Sequence, residues 1–294
     1  MAKRLQMVQV DVFSSTALEG NPLAVFLDGT GLSDDQMQAI AREMNLSETT
    51  FILPRDKGTE RERGVRVRIF TVQEELPFAG HPTLGTAFVL RGETRAPEIA
   101  LDLKVGRVPV TFEDQDGKPS FGEMTQMEPK FGTIHDRQAV ASACGLPVAA
   151  FDPDLPIQTV STGVAFVVAP LASLEIARKL QINQSTALGY LDKADGKFFY
   201  FVTRGGVLPS ARLHARMLFY NGEDPATGSA AGCAAAWMTA HGVAQPDERV
   251  LIEQGVEMQR PSHIFVRAGT KDNRVINVRV GGNVVEIMRA EVFL

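Results

Sequence analysis

The chain has 294 residues, is 44% hydrophobic, and sets 30 basic against 35 acidic side chains for a formal net charge of −5. That apolar content fills one large core or two ordinary ones, and a weakly acidic, mixed balance leaves no electrostatic footprint for nucleic acid. No stretch reaches the roughly 18 apolar residues needed to span a bilayer, and the N-terminus lacks the apolar run of a signal peptide, so neither a membrane partner nor export is expected.

Val8, Val10 and Val12 alternate with Gln9, Asp11 and Phe13, which predicts a half-buried strand. Glu19-Gly20-Asn21-Pro22 reads as a turn, and residues 23–27 as a second strand. Ser33 with Gln36 three positions later forms a capping box. It opens a helix with Met37, Ile40, Ala41 and Met44 on one face and an end near Asn45. Residues 47–53 and the alternating Val65, Val67 and Ile69 predict two further strands.

Two segments stand apart. Residues 83–90 (TLGTAFVL) follow Gly80-His81-Pro82, and residues 230–238 (AAGCAAAWM) follow Gly228-Ser229; neither run holds a charged residue. Pro82 suits a first helical turn and Ser229 an N-cap. A helix apolar all round is buried on every side, so each is expected at the centre of its own set of strands. Arg68, Glu75, Pro77, Gly80 and Ala87 match Arg216, Glu223, Pro225, Gly228 and Ala235 at a constant offset of 148. Residues 47–53 give a second echo, against residues 161–168. The repeat predicts a duplicated domain with two halves facing across a cleft. The join falls near Met127-Glu128-Pro129, the strand near residues 284–293 is a candidate to return to the first domain, and Gly205-Gly206 and Gly281-Gly282 read as loop tips.

Helix N-termini present unpaired N–H groups and partial positive charge. Gly80-His81 and Gly228-Ser229 therefore read as two ends able to hold a carboxylate or phosphate, or more simply as caps of two core helices. Glu48 stands where a strand leaves a helix, beside Leu46 and the apolar residues 51–53. Burial there would favour proton transfer; by composition alone, a glutamate at a strand start is a surface residue. His81 is a candidate hydrogen-bonding acid or orienter, or a capping residue, and Asp224 a substrate ligand, an orienter of His81, or a turn aspartate before proline. His135, His214, His241 and His263 show no partner spacing and read as structural or solvated. Cys144 and Cys233 make no metal pattern and read as reduced, buried thiols of a cytoplasmic protein. There is no dinucleotide fingerprint, Walker loop, HExxH or GxSxG.

The segments VDVF (10–13), GNPLAVFLD (20–28), NLSETTFIL (45–53), ELPFAGHPTLGTA (75–87) and GEDPATGSAAG (222–232) together resemble the PhzF-like, or phenazine biosynthesis-like, family. The resemblance implies a diaminopimelate epimerase-like α+β fold of two pseudo-symmetric domains. Each would be a strongly curved, mostly antiparallel sheet around a central buried helix. Residues 1–127 with 283–294 would form one and residues 128–282 the other, with the active site in the cleft between them. It implies Glu48 as the catalytic acid/base, with His81, Asp224, Ser229, Gly80 and Gly228 binding substrate. It also implies a homodimer, a small carboxylate-bearing substrate, and no cofactor or metal. The family's phenazine enzyme relocates a proton between ring carbons of a dihydro-hydroxyanthranilate. Related epimerases and racemases carry a cysteine at each helix N-terminus; here those places hold His81 and Ser229, which favours single-glutamate chemistry. A non-catalytic anion-binding protein, an interaction protein with a vestigial pocket, and a thiol-based racemase are the competing readings.

Overall fold

The computed structural model describes residues 3–92, 95–114, 121–219 and 222–294. The chain divides into two compact units, Met1–Thr125 with Gly281–Leu294, and Gln126–Val280. The fold is a sheet-dominated, mixed α+β architecture with few helices. Among the described residues no helix is long and apolar enough to cross a membrane.

The first unit contains β1 (Arg4–Val12), β2 (Asn21–Phe26), α1 (Asp34–Met44), β3 (Glu48–Leu53), α2 (Lys57–Arg63), β4 (Val65–Phe70), β5 (Glu75–Leu76), α3 (Gly80–Arg91), β6 (Glu98–Leu103), β7 (Gly106–Glu113) and β8 (Phe121–Thr125). The pairings run β1–β2 antiparallel, β2–β3 parallel, β3–β4 antiparallel, β4–β6 parallel, then β6–β7 and β7–β8 antiparallel. The long last strand, β17 (Arg274–Phe293), pairs with β1 from Arg4↔Phe293 onward and also with β8, so the ring closes.

Helix α3 touches β1, β2, β3, β6, β7 and β8 and is buried from Gly80 through Ala87, as expected of a charge-free helix. Phe88 to Leu90 emerge to partial exposure. Helix α1 has the capping box on Ser33 and an αL C-cap at Asn45. Its buried Met37, Ile40 and Ala41 join Leu5, Met7, Ala24, Phe26, Phe51 and Phe70 in a separate cluster. β1 is consequently not half-buried. Leu5 and Met7 pack in the α1 cluster, while Val10 and Val12 lie against Gly85 of α3. Asp11 is buried too, its carboxylate accepting the Leu18 N–H at 2.7 Å.

The second unit contains β9 (Lys130–Ile134), α4 (Arg137–Cys144), β10 (Gln158–Ser161), β11 (Ala165–Pro170), α5 (Leu174–Arg178), α6 (Gln184–Leu191), β12 (Phe198–Arg204), β13 (Ala211–Phe219), β14 (Gly222–Asp224), α7 (Gly228–Ala240), β15 (Val250–Gln254) and β16 (Ser262–Lys271). Its pairings repeat the order of the first unit: β10–β11 antiparallel, β11–β12 parallel, β12–β13 antiparallel, β13–β15 parallel, β15–β16 antiparallel. Helix α7 is buried at every residue from Gly228 through Met238 and packs on β10, β11 and β16.

The offset of 148 survives as geometry. Phe70 faces Glu75 in one hairpin and Leu218 faces Glu223 in the other, the same register. Arg68 grips Glu75 with two hydrogen bonds of 2.8 and 2.7 Å, and Arg216 grips Glu223 with two of 2.6 and 2.7 Å. These matched residues are bidentate staples that close each hairpin ahead of its buried helix. The second echo is not structural. By pairing order β3 corresponds to β12, whereas residues 161–168 cover the end of β10, a turn and the start of β11; a small polar residue before an apolar run produced the likeness. Gly281-Gly282 is no loop tip either. Both residues are buried within β17, and the hairpin tip is Asp272-Asn273, with φ of 50° and 59°.

Candidate active site

Side-chain alternation decides what surrounds the start of α3. In β3, Phe51 points into the α1 cluster, so Thr50 and Glu48 point the other way. Thr50 Oγ1 lies 2.9 Å from Thr86 Oγ1 on α3. Two residues back along β3 is about 7 Å, and five residues back along α3 from Thr86 is about 7.5 Å. The same step therefore brings Glu48 beside His81. His81 Nε2 lies 3.5 Å from Glu48 Oε2, both side chains being buried, with Glu48 at 7% exposure.

Asn21 completes the group. It precedes Leu23, which faces Glu48 across the parallel pairing, and is fully buried, with its amide nitrogen 3.1 Å from His81 Nδ1. Asn21 and Pro22 belong to β2 rather than to the expected turn. The turn lies just before, where Gly20 has φ +72° and a Cβ would sit 2.4 Å from the Val12 carbonyl oxygen. With the Asn21 N–H donating to Nδ1, the remaining imidazole proton sits on Nε2, the ring nitrogen 3.5 Å from Glu48 Oε2.

Burial pushes His81 down to about 3. The ring is thus a neutral donor at ordinary pH, not a cation paired with Glu48. Unfolding restores a pKa near 6.5, so below that value the unfolded state binds a proton the folded state refuses. This contribution to stability is complete above pH 6.5 and is lost as pH falls toward 3. Between pH 6.5 and 5 wild type should lose about 2 kcal/mol that His81→Asn does not. Urea unfolding of both proteins at the two pH values reads this directly; parallel losses would refute it.

In the second unit, Gly228 and Ser229 open α7, but the N-cap is Thr227, and Ser229 is the second helical residue. Thr227 makes no capping hydrogen bond, and Ala79, the N-cap of α3, makes none from its side chain either. Both helix starts therefore keep their first amides clear of side-chain caps. The Thr227 hydroxyl instead donates to Asp224 Oδ2 at 2.6 Å, and Asp224 and Ser229 are both buried. The Gly228 carbonyl accepts from Gln126 Nε2 at 2.9 Å.

Glu48, His81 and Gly80 are thus assembled in the first unit, and Asp224, Gly228 and Ser229 in the second. Asn21 was missed as a site residue although it stands in the GNP motif. Gln254 and Gln126 carry no local signal, because their partners lie 27 to 102 residues away.

Both cysteines are buried and free. Burial pushes Cys144 up to about 12 and Cys233 up to about 11, so neither is a thiolate near neutrality. His214, read as structural, is buried between Glu253 (2.7 Å) and Glu257 (3.1 Å). Burial opposes its charge, but the two carboxylates outweigh it and raise its pKa. Among the described residues no group of three or more His, Cys, Asp or Glu is placed to hold a metal ion.

Comparison with known proteins places the chain in a family. Residues 10–290 match the family model described as phenazine biosynthesis-like protein. The chain is 37% identical to a trans-2,3-dihydro-3-hydroxyanthranilate isomerase of Pseudomonas aeruginosa, over 94% of this chain and 95% of that one. It superposes on a predicted epimerase from the same species with a TM-score of 0.84 at 34% identity, covering 99% of each chain. A hydroxyproline epimerase from Agrobacterium vitis, at 14% identity and a TM-score of 0.68 over 100% of this chain and 92% of that one, shares the fold. The chain belongs to the phenazine biosynthesis-like family and, like its named relatives, is an isomerase.

Proposed function

We propose that the chain moves a proton within a small carboxylate-bearing substrate, with Glu48 as the single acid/base and no cofactor. The substrate class is that of trans-2,3-dihydro-3-hydroxyanthranilate, named for relatives of 36–37% identity that align over more than nine-tenths of the chain. The observation that carries the reading is the buried Glu48 carboxylate beside a neutral His81. A carboxylate can remove a proton from one ring carbon as the double bond migrates, then return that proton to another carbon on the same face. Bonds and charge balance without a second acid. Burial limits exchange of the held proton with water. His81 donates a hydrogen bond without changing charge, and substrate binding falls to His81, Asp224, Ser229 and the amides at Gly80 and Gly228. Thiol-based stereoinversion is disfavoured by the two buried, protonated cysteines. We take the working form to be a homodimer.

The test is to incubate the protein with trans-2,3-dihydro-3-hydroxyanthranilate in D2O and follow the ring protons by NMR. Double-bond migration is expected, with part of the transferred hydrogen retained as protium at its new carbon. No migration rejects the substrate class; complete deuteration at the new carbon rejects the shielded shuttle.

A further inference from the structure

We infer that Gln254 is a positioning residue, acting through the Thr227 hydroxyl to orient Asp224 and the start of α7. Gln254 ends β15 and is fully buried. Its amide uses its whole hydrogen-bonding capacity on one turn and one tyrosine. Oε1 accepts from the Thr227 N–H at 3.1 Å and from Tyr200 OH at 3.0 Å. Nε2 donates to the Asp224 carbonyl at 2.8 Å and to Thr227 Oγ1 at 2.9 Å.

The last contact sets a direction. Thr227 Oγ1 accepts a hydrogen bond from Gln254, so its own single O–H is donated to Asp224 Oδ2, 2.6 Å away. The hydrogen bonds run from Gln254 to Thr227 and from Thr227 to Asp224, so the relay ends on an accepting carboxylate, where a hydrogen bond is strongest. The same relay answers a question of helix chemistry. Thr227 occupies the N-cap, where threonine ordinarily accepts from an amide of the first turn. Here the hydroxyl is turned away, and α7 starts without a side-chain cap. One buried glutamine thereby fixes the Asp224 rotamer and keeps the Gly228-Ser229 amides clear.

The role rests on the proposed function, because it assigns Gln254 to substrate binding rather than to proton transfer. The experiment compares Gln254→Leu, Thr227→Val, their double variant and Thr227→Ser, using trans-2,3-dihydro-3-hydroxyanthranilate. Valine is isosteric with threonine and removes only the hydroxyl, so it tests the relay even if Gln254→Leu fails to fold. Each of the two single changes should raise KM about 10- to 100-fold, the worth of one hydrogen bond to a charged group, with kcat within about threefold. The double variant should be no worse than the poorer single one, since both break the same relay. Thr227→Ser should restore KM to within about threefold of wild type. A purely structural role would lower kcat, through loss of folded enzyme, at unchanged KM; that result, or losses that multiply in the double variant, overturns the inference. If wild type does not turn the substrate over, the functional proposal fails on its own. The coupling of the two substitutions in thermal unfolding, which needs no substrate, then decides the relay, and additive losses reject it.

Discussion

Replacing Glu48 with glutamine should abolish isomerisation, lowering kcat by about 10³-fold or more, while the folded protein still binds its ligand. General acid–base catalysis by one positioned group contributes about 10²- to 10⁴-fold, and here the same carboxylate would serve both half-reactions. Glutamine matches glutamate in shape but cannot take up a proton. No neighbour stands ready to substitute. His81 is held neutral by burial, down to about 3, and its nitrogen nearer Glu48 carries a proton it has no tendency to give up. Asn21, behind the ring, does not titrate. Binding of 3-hydroxyanthranilate, the aromatic acid two hydrogens short of the relatives' substrate, should stay within about threefold, because the amides proposed to hold its carboxylate are untouched. Glu48→Asp should fall between the two proteins. It keeps the chemistry but draws the carboxylate back by one methylene, and a displacement of about 1 Å is enough to cost about 10²-fold. Stopped-flow turnover with parallel ligand titration reads both quantities. A glutamine variant retaining a tenth of wild-type activity would remove Glu48 from the chemistry.

The two helices that carry the candidate site are legible in the sequence because their signals are local. Charge-free runs of eight and nine residues mark α3 and α7, since a helix without a polar face has only the interior to occupy. The constant offset of 148 marks Arg68, Glu75, Arg216 and Glu223 as matched positions, but the pairing of each arginine with its glutamate is a tertiary fact. What stayed hidden depends on tertiary contacts. A buried asparagine beside His81 and a solvated one in a turn have the same local sequence, and Gly20 just before Asn21 favoured the second reading. Polarity alternation marked β1 as a strand but not its second covered face, because α1 arrives from more than twenty residues downstream. The choice of Ser229 over Thr227 as N-cap failed for a similar reason. The Thr227 hydroxyl is claimed by Asp224 and Gln254, and the second of these is 27 residues away.

Gly232→Ala should destabilise the second unit by about 2–4 kcal/mol. Helical propensity alone argues the opposite, since alanine in place of glycine gains about 1 kcal/mol in a helix interior. The deciding contact is Gln126. A Cβ at position 232 would lie 1.8 Å from Gln126 Oε1 and 2.5 Å from its Cδ. A glutamine amide at the end of a flexible chain could ordinarily step aside, but this one is pinned at both atoms. Nε2 donates to the Gly228 carbonyl at 2.9 Å, and Oε1 accepts from Thr162 Oγ1 at 2.5 Å, in surroundings that leave Gln126 only 6% exposed. Moving it strands buried polar atoms on three residues, each costing about 1–3 kcal/mol, and this outweighs the gain in propensity. For a unit of this size the expected fall in melting temperature is about 5–15 °C. The clash also predicts its own relief. Gln126→Ala removes the atom that collides, so adding Gly232→Ala to that background should cost nothing, or gain about 1 kcal/mol from propensity. Thermal unfolding of the two single variants and the double variant measures all three terms. If Gly232→Ala is as destabilising without Gln126 as with it, the collision is not what makes glycine necessary at that turn of α7.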